Sequence, residues 1–324
     1  MKITTIGQYD SIENQFAPTS WKITGALVPE NYFSDFISFL DVLPKSQVTY
    51  KRNLEKFADY FYENRITRPT RDDIIKYRDY LKEKGLKNTT IKGYLQAVKM
   101  FFKWLNAEEL YPNVADHIKP PKISREHKKG YLSSTQAREM LENIETDNLE
   151  GKRNYAICTL MITCGLRCVE VARANIEDFR TSGNNVVLYV MGKGREDKAD
   201  YVIVPEQAEK AIRAYLEARK ETDISKPLFV TNSKNYKGNR ISEHTISKIC
   251  KTSMKNIGLN RRDLTAHSFR HTAVTLSILG GEDIRHVSQF ARHKDLSTTE
   301  IYVHENDMSK NQCSNVVASQ IFAS

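Results

Sequence analysis

Several absences narrow the reading of this sequence before any motif is considered. No apolar run approaches the roughly 18 residues that a membrane-crossing helix needs, so no span is expected. The opening stretch, MKITTIGQYDSIENQF, lacks the apolar core of a secretory signal. The five cysteines (Cys158, Cys164, Cys168, Cys250 and Cys313) fall into neither a paired framework nor a zinc-ligand spacing. Cys164 and Cys168 lie four apart in an apolar, helix-like stretch. They read as small core residues of a reducing compartment, so a cytoplasmic protein is expected. No repeat of solenoid period is present. The glycine turn GKGREDK lacks the GxxxxGK[ST] pattern, which argues against P-loop hydrolysis. No acidic cluster suited to a magnesium pair is visible, and neither a metal nor another cofactor is expected.

What is present is enough chain for two ordinary domains: 324 residues, 40% of them apolar. Basic residues outnumber acidic ones 49 to 40, a formal charge of +9. That excess suits a polyanionic partner and equally suits a merely basic soluble protein. Most of the apolar patterning has helical period. Four stripes lie between residues 27 and 111, beginning with Tyr32, Phe33, Phe36, Ile37 and Leu40. A second runs through Leu54, Phe57, Ala58 and Phe61. A third carries Ile74, Tyr77 and Leu81 behind a Thr70–Asp73 capping box and stops at Gly85. The clearest runs from Ile91 to Leu105. They predict a small helical bundle after a polar, patternless extension at 1–26. Residues 112–130, with Pro120-Pro121, Lys119, Lys122, Arg125, Lys128 and Lys129, read as a stiff basic linker.

A second domain is expected over 131–310. Ser133 and Gln136 form a capping box, and Tyr155–Cys164 is nearly all apolar, predicting a buried helix that ends at Gly165. Val186–Met191 and Tyr201–Val204 are the only convincing strands, joined by the glycine turn around Lys193. The fold class is therefore mainly α with a small β-hairpin or sheet.

The stretch Leu264–His304, LTAHSFRHTAVTLSILGGEDIRHVSQFARHKDLSTTEIYVH, concentrates the chemistry. His267 and Arg270, three apart, leave one face of a helix that Gly280-Gly281 should end. A short helix carrying Ile284, Val287 and Phe290 inward delivers His293. A Ser297–Glu300 capping box should start a last helix bearing Tyr302. Taken singly, a His-x-x-Arg pair is more often a surface pair, and a helical tyrosine is more often a core residue.

The order HSFRH, then RHKDLSTTEIY, together with CGLRCVEV around Arg167, resembles the tyrosine recombinase family of phage-type integrases and Xer-type resolvases. The resemblance covers roughly residues 30–310. It implies a helical core DNA-binding domain followed by an α+β catalytic domain, closing as a clamp around double-stranded DNA. It also implies Arg167, Lys193, His267, Arg270, His293 and Tyr302 as the catalytic set, with Glu170 in the place of a supporting acidic residue. Lys193 would be the mobile lysine of the hairpin. Lys45, Arg52, Lys87, Lys92, Lys119, Lys122, Arg125, Lys128, Lys129 and Arg292 are the expected DNA contacts, many of them near helix starts or in loops. On the residues alone, those of the first block serve equally as a solvated basic face.

The chemistry implied is strand cutting and rejoining through a 3′-phosphotyrosine, without ATP or metal. It would be performed by a homotetramer on two DNA sites, each with paired short inverted repeats, in the cytoplasm at the nucleoid. A type IB topoisomerase and a catalytically silent DNA-binding protein are the alternatives. One departure stands out: the family usually places glycine just before the second-motif histidine, where this chain has Arg292. The tail at 311–324 carries Val317–Ile321 and Ala318–Phe322 pairs. They describe a short amphipathic helix for docking in cis or on the next protomer.

Overall fold

A computed structural model describes residues 4–5, 27–28, 32–66, 68–123, 130–192, 197–232, 238–293 and 295–304. Its contacts divide the chain into two compact units, Met1–Arg125 and Glu126–Ser324.

Among the described residues of the first unit the regular elements are helices apart from a two-residue pairing of β1 (Thr4–Thr5) with β2 (Leu27–Val28), which the polar patterning of the extension did not reveal. Helices α1 (Tyr32–Phe39), α2 (Pro44–Glu63), α3 (Arg71–Glu83) and α4 (Asn88–Ala107) follow the four stripes. Pro44 sits in the first turn of α2, where its missing N–H is not needed. Thr70 and Asp73 cap α3 reciprocally, and Gly85, at φ 70°, stops it. The core is aromatic: Phe36, Phe57, Phe61, Tyr77, Phe101, Phe102 and Trp104 are buried, with Phe36 meeting Phe101 edge-to-face at 5.3 Å. Each such ring contributes roughly 1.5–3 kcal/mol by leaving water. Ala115 and Ile118 join this core, so the basic linker starts later than its composition suggests.

The second unit is built on α6 (Leu149–Cys164), whose Ala156–Met161 segment is buried on every side. A helix apolar all round must be central, and α5 (Ser134–Glu142), α8 (Glu206–Arg219), α9 (Glu243–Asn256) and α10 (Ala266–Leu279) all pack on it. Between α6 and α8 come the short α7 (Cys168–Arg173), a 3-10 turn (Ile176–Asp178) and a three-stranded antiparallel sheet. Its strands lie in the order β3 (Phe179–Ser182), β4 (Asn185–Val190), β5 (Asp200–Ile203). The third strand is a correction. Residues 180–182 are polar and exposed and carry no alternation, so only the pairing of Phe179 with Leu188 and of Ser182 with Asn185 makes β3 a strand. Helices α11 (Ile284–Ala291) and α12 (Ser297–His304) complete the unit and pack on α10 and on each other.

The entry of α6 gives a sharp test. Gly151 lies in its first turn, and a methyl group there would sit 1.9 Å from the Glu145 carbonyl oxygen. Gly→Ala inside a helix normally stabilises by about 0.5–1 kcal/mol. Here Gly151→Ala should instead destabilise the second unit by about 1–3 kcal/mol as the backbone is forced aside. Urea unfolding checks the sign, and a stabilised variant would contradict the packing at this corner.

Candidate active site

The site begins where α6 ends. Gly165 takes the left-handed conformation at φ 58°, and Leu166 is fully buried, which fixes the direction of the chain into Arg167. Arg167 occupies the N-cap of α7. Its backbone N–H donates to Glu170 Oε2 at 2.8 Å and its Nη1 donates to Glu170 Oε1 at 2.8 Å. Glu170 is 1% exposed, while the Arg167 side chain keeps 32% of its surface. Burial opposes ionisation of Glu170. The positive charge of Arg292, hydrogen bonds from the Arg167 N–H and the Arg292 guanidinium, and the charge of Arg167 together outweigh it and hold the carboxyl below its ordinary range.

Helix α10 brings the second arginine to the same corner. Arg270 Nη1 donates to the Gly165 carbonyl oxygen at 2.8 Å, so the turn that releases Arg167 also seats Arg270. Arg270 is 1% exposed, and its donors reach a ligand only once whatever covers them moves. His267, a turn earlier, is exposed and meets the ring of buried His271 edge-on, with centroids 4.6 Å apart.

Helix α11 ends at Arg292 in the left-handed region, φ 52°. Arg292, an expected DNA contact, is engaged within the protein. Its side chain is 10% exposed and turned inward, with Nη2 2.9 Å from Glu170 Oε2 and Nη1 2.9 Å from the Phe290 carbonyl oxygen. The next residue, His293, has Nδ1 2.8 Å from the hydroxyl of fully buried Thr299. With Thr299 donating, Nε2 carries the ring proton and can be given to an anion. Burial first, then the charges of Arg270, Arg167, His267 and Arg292, push His293 down to about 4.

Helix α12 starts at Ser297 as expected, yet the acceptor at its entry is not the Ser297–Glu300 box. Asp295 Oδ1 accepts from the Ser297 N–H at 3.0 Å, because the aspartate stands two residues earlier, where the orphan donors point. Tyr302 lies on this helix, whose backbone packs on α10 and α11; its side chain lies outside the described residues.

Of the remaining candidates, Lys193, Arg125, Lys128, Lys129 and the 311–324 tail lie outside the described residues. Lys45, Arg52, Lys87, Lys92, Lys119 and Lys122 are exposed in the first unit. Lys87 takes the N-cap of α4, and Lys45 lies in the first turn of α2. Thr299 and the Gly165 carbonyl were not foreseen. A Thr six residues after a candidate histidine was a usable signal, but a carbonyl acceptor leaves no mark in a sequence. Among the described residues no group of three or more His, Cys, Asp or Glu is placed to hold a metal ion, and no helix is long and apolar enough to cross a membrane.

The profile of the phage integrase family matches residues 130–309, and that of the phage integrase N-terminal SAM-like domain matches residues 31–109. Tyrosine recombinase XerC of Corynebacterium glutamicum is 30% identical over 295 residues, covering 87% of this chain and 91% of that protein. Tyrosine recombinase XerC of Thermodesulfovibrio yellowstonii is 29% identical over 266 residues, covering 79% and 84%. The fold is shared with the crystal structure of the XerH site-specific recombinase bound to palindromic difH substrate. That match has a TM-score of 0.69 at 20% identity, over 85% of this chain and 79% of that one.

The His293 environment makes a direct prediction. Its ring should titrate in the folded protein near 4 rather than at the ordinary value near 6.5. Protonation then favours the unfolded chain. The stability that neutral His293 contributes is complete above about 6.5 and is lost as pH falls toward 4. An NMR titration of the His293 ring checks this, and a midpoint near 6.5 would contradict the cationic, half-buried site.

Proposed function

The chain belongs to the phage integrase family, and on that premise we propose that it cuts and rejoins DNA at specific sites through a covalent bond to Tyr302. One observation carries the residue assignment: Arg167 follows the Gly165 turn on whose carbonyl Arg270 rests, the charges of both act on His293, and α10, which carries Arg270, packs on the helix that bears Tyr302.

The proposed chemistry follows from the charges. A phosphodiester gathers negative charge on its non-bridging oxygens as a nucleophile attacks. Two guanidiniums can each donate paired hydrogen bonds to those oxygens, and neutral His293 can add a third donor through Nε2. A tyrosine hydroxyl titrates ordinarily near 10 and needs a base or a positive field to attack at neutral pH. In this reading His267 accepts its proton. The new bond joins Tyr302 Oη to phosphorus, and the bond from phosphorus to the 5′ oxygen breaks. Lys193 protonates that leaving oxygen, as the family resemblance implies. The phosphotyrosine keeps the ester energy, so a 5′ hydroxyl of another strand can reverse the step without ATP.

Supporting the DNA side are the exposed lysines and arginine of the first unit, of which Lys45 and Lys87 stand at helix entries where amides and cations together hold phosphates. In the proposed assembly four protomers act on two sites, each with paired short inverted repeats, and the 311–324 tail docks on the next protomer. Such a head-to-tail contact closes into a ring of four.

Tyr302→Phe should bind its duplex with wild-type affinity and never become attached to it. Denaturing gels of substrates nicked to make cleavage irreversible test this. A covalent band that persists in Tyr302→Phe would move the nucleophile elsewhere.

A further inference from the structure

Arg292 holds an arginine where the backbone is left-handed, a conformation that disfavours a side chain by about 1 kcal/mol. Its guanidinium nevertheless donates to protein from all three nitrogens. Nη2 is 2.9 Å from Glu170 Oε2, Nε is 3.5 Å from Glu170 Oε1, and Nη1 is 2.9 Å from the Phe290 carbonyl oxygen. Nη2 also lies 3.4 Å from the Gly165 carbonyl oxygen, the same atom that accepts Arg270 Nη1 at 2.8 Å. Two of the three acceptor groups that Arg292 holds, Glu170 and the Gly165 carbonyl, are thus those on which Arg167 and Arg270 rest.

We propose that Arg292 is a positioning residue for phosphoryl transfer, clamping the Glu170 carboxylate beside the Gly165 carbonyl so that Arg167 keeps its charge and donors for the scissile phosphate. This rests on the strand-transfer reading above. A buried carboxylate must be met by charge and hydrogen bonds, whatever supplies them. With Arg292 present, Glu170 draws one side-chain donor, Nη1, from Arg167. The remaining guanidinium donors of Arg167 stay available on a side chain that keeps a third of its surface. Without Arg292, Arg167 is the one cation left paired with Glu170 among the described residues. Glu170 then pulls that guanidinium toward two-pronged pairing and offsets its charge. Three charges, Arg167, Glu170 and Arg292, sum to +1 and leave one whole positive charge facing the phosphate; two sum to zero.

The test uses the full chain with Arg292→Gly, which also relieves the left-handed backbone, and Arg292→Lys, which keeps charge without the two-pronged geometry. The DNA is a duplex recovered from a random pool by the wild-type protein, nicked so that cleavage cannot reverse. A second copy carries a methylphosphonate at the scissile position, which removes one phosphate charge. On the ordinary phosphate, Arg292→Gly should form the covalent adduct about 10- to 100-fold more slowly with unchanged DNA affinity, as expected for misplaced catalytic groups. On the methylphosphonate that deficit should largely vanish, since less charge needs to be met. Arg292→Lys should lie between, and it supplies the same comparison if Arg292→Gly does not fold. An unchanged rate on the ordinary phosphate, or an equal loss on both substrates, overturns the positioning role. Absence of any adduct with wild-type protein would overturn the strand-transfer reading itself, and this role with it.

Discussion

A carboxylate removed from water has to be met by opposite charge, and Glu170 is met from two sides. Arg167 reaches it from its own helix and Arg292 from the far end of the unit, 122 positions later in the chain. That requirement ties the end of α6, the start of α7 and the end of α11 together at one corner. The adjoining Gly165 carbonyl adds α10 through Arg270. None of these arginines would be held at a fixed place by apolar packing alone, since a guanidinium gains little from dispersion and much from oriented acceptors. The same crowd of positive charge, together with burial, keeps His293 neutral, which suits it to donate a hydrogen bond rather than to carry charge.

The helical parts of this molecule were legible in the sequence, for physical reasons that can be named. Capping boxes at Thr70–Asp73 and Ser133–Gln136 are local interactions with fixed spacing, and each appears as a bonded pair. The stops at Gly165 and Gly281 follow from glycine's freedom at positive φ. What escaped was set by partners distant in sequence. Strand β3 owes its existence to β4, not to its own polar residues. The cap of α12 fell to Asp295, which local spacing could not separate from the neighbouring Ser297 and Glu300. Arg292 looked like a surface cation because its acceptor, Glu170, is visible only once the chain has folded. Thr299 became part of the site only because α12 packs its first turn against His293. Composition alone, at +9, suggested a polyanionic partner but could not say which of 49 basic residues would meet it.

The enclosure of Arg270 has a mechanistic consequence. A phosphate cannot engage a guanidinium that is 1% exposed without displacing what covers it. Helices α11 and α12 both pack on α10, the helix that carries Arg270. Movement of α12 would therefore shift the backbone of Tyr302 relative to the arginine. In the proposed chemistry, exposure of that cation and placement of the attacking hydroxyl would then be linked through the packing of α10 and α12.

The central claim, that Tyr302 attacks a phosphodiester held by Arg167 and Arg270, is tested most directly by mapping the covalent linkage. A trapped wild-type protein–DNA complex would be digested with nuclease and protease and the adduct located by mass spectrometry. The account predicts a nucleotide on the peptide containing Tyr302, joined through a 3′ phosphate, and a free 5′ hydroxyl on the other DNA end that accepts a kinase label. Attachment to any other residue, or through a 5′ phosphate, would contradict it.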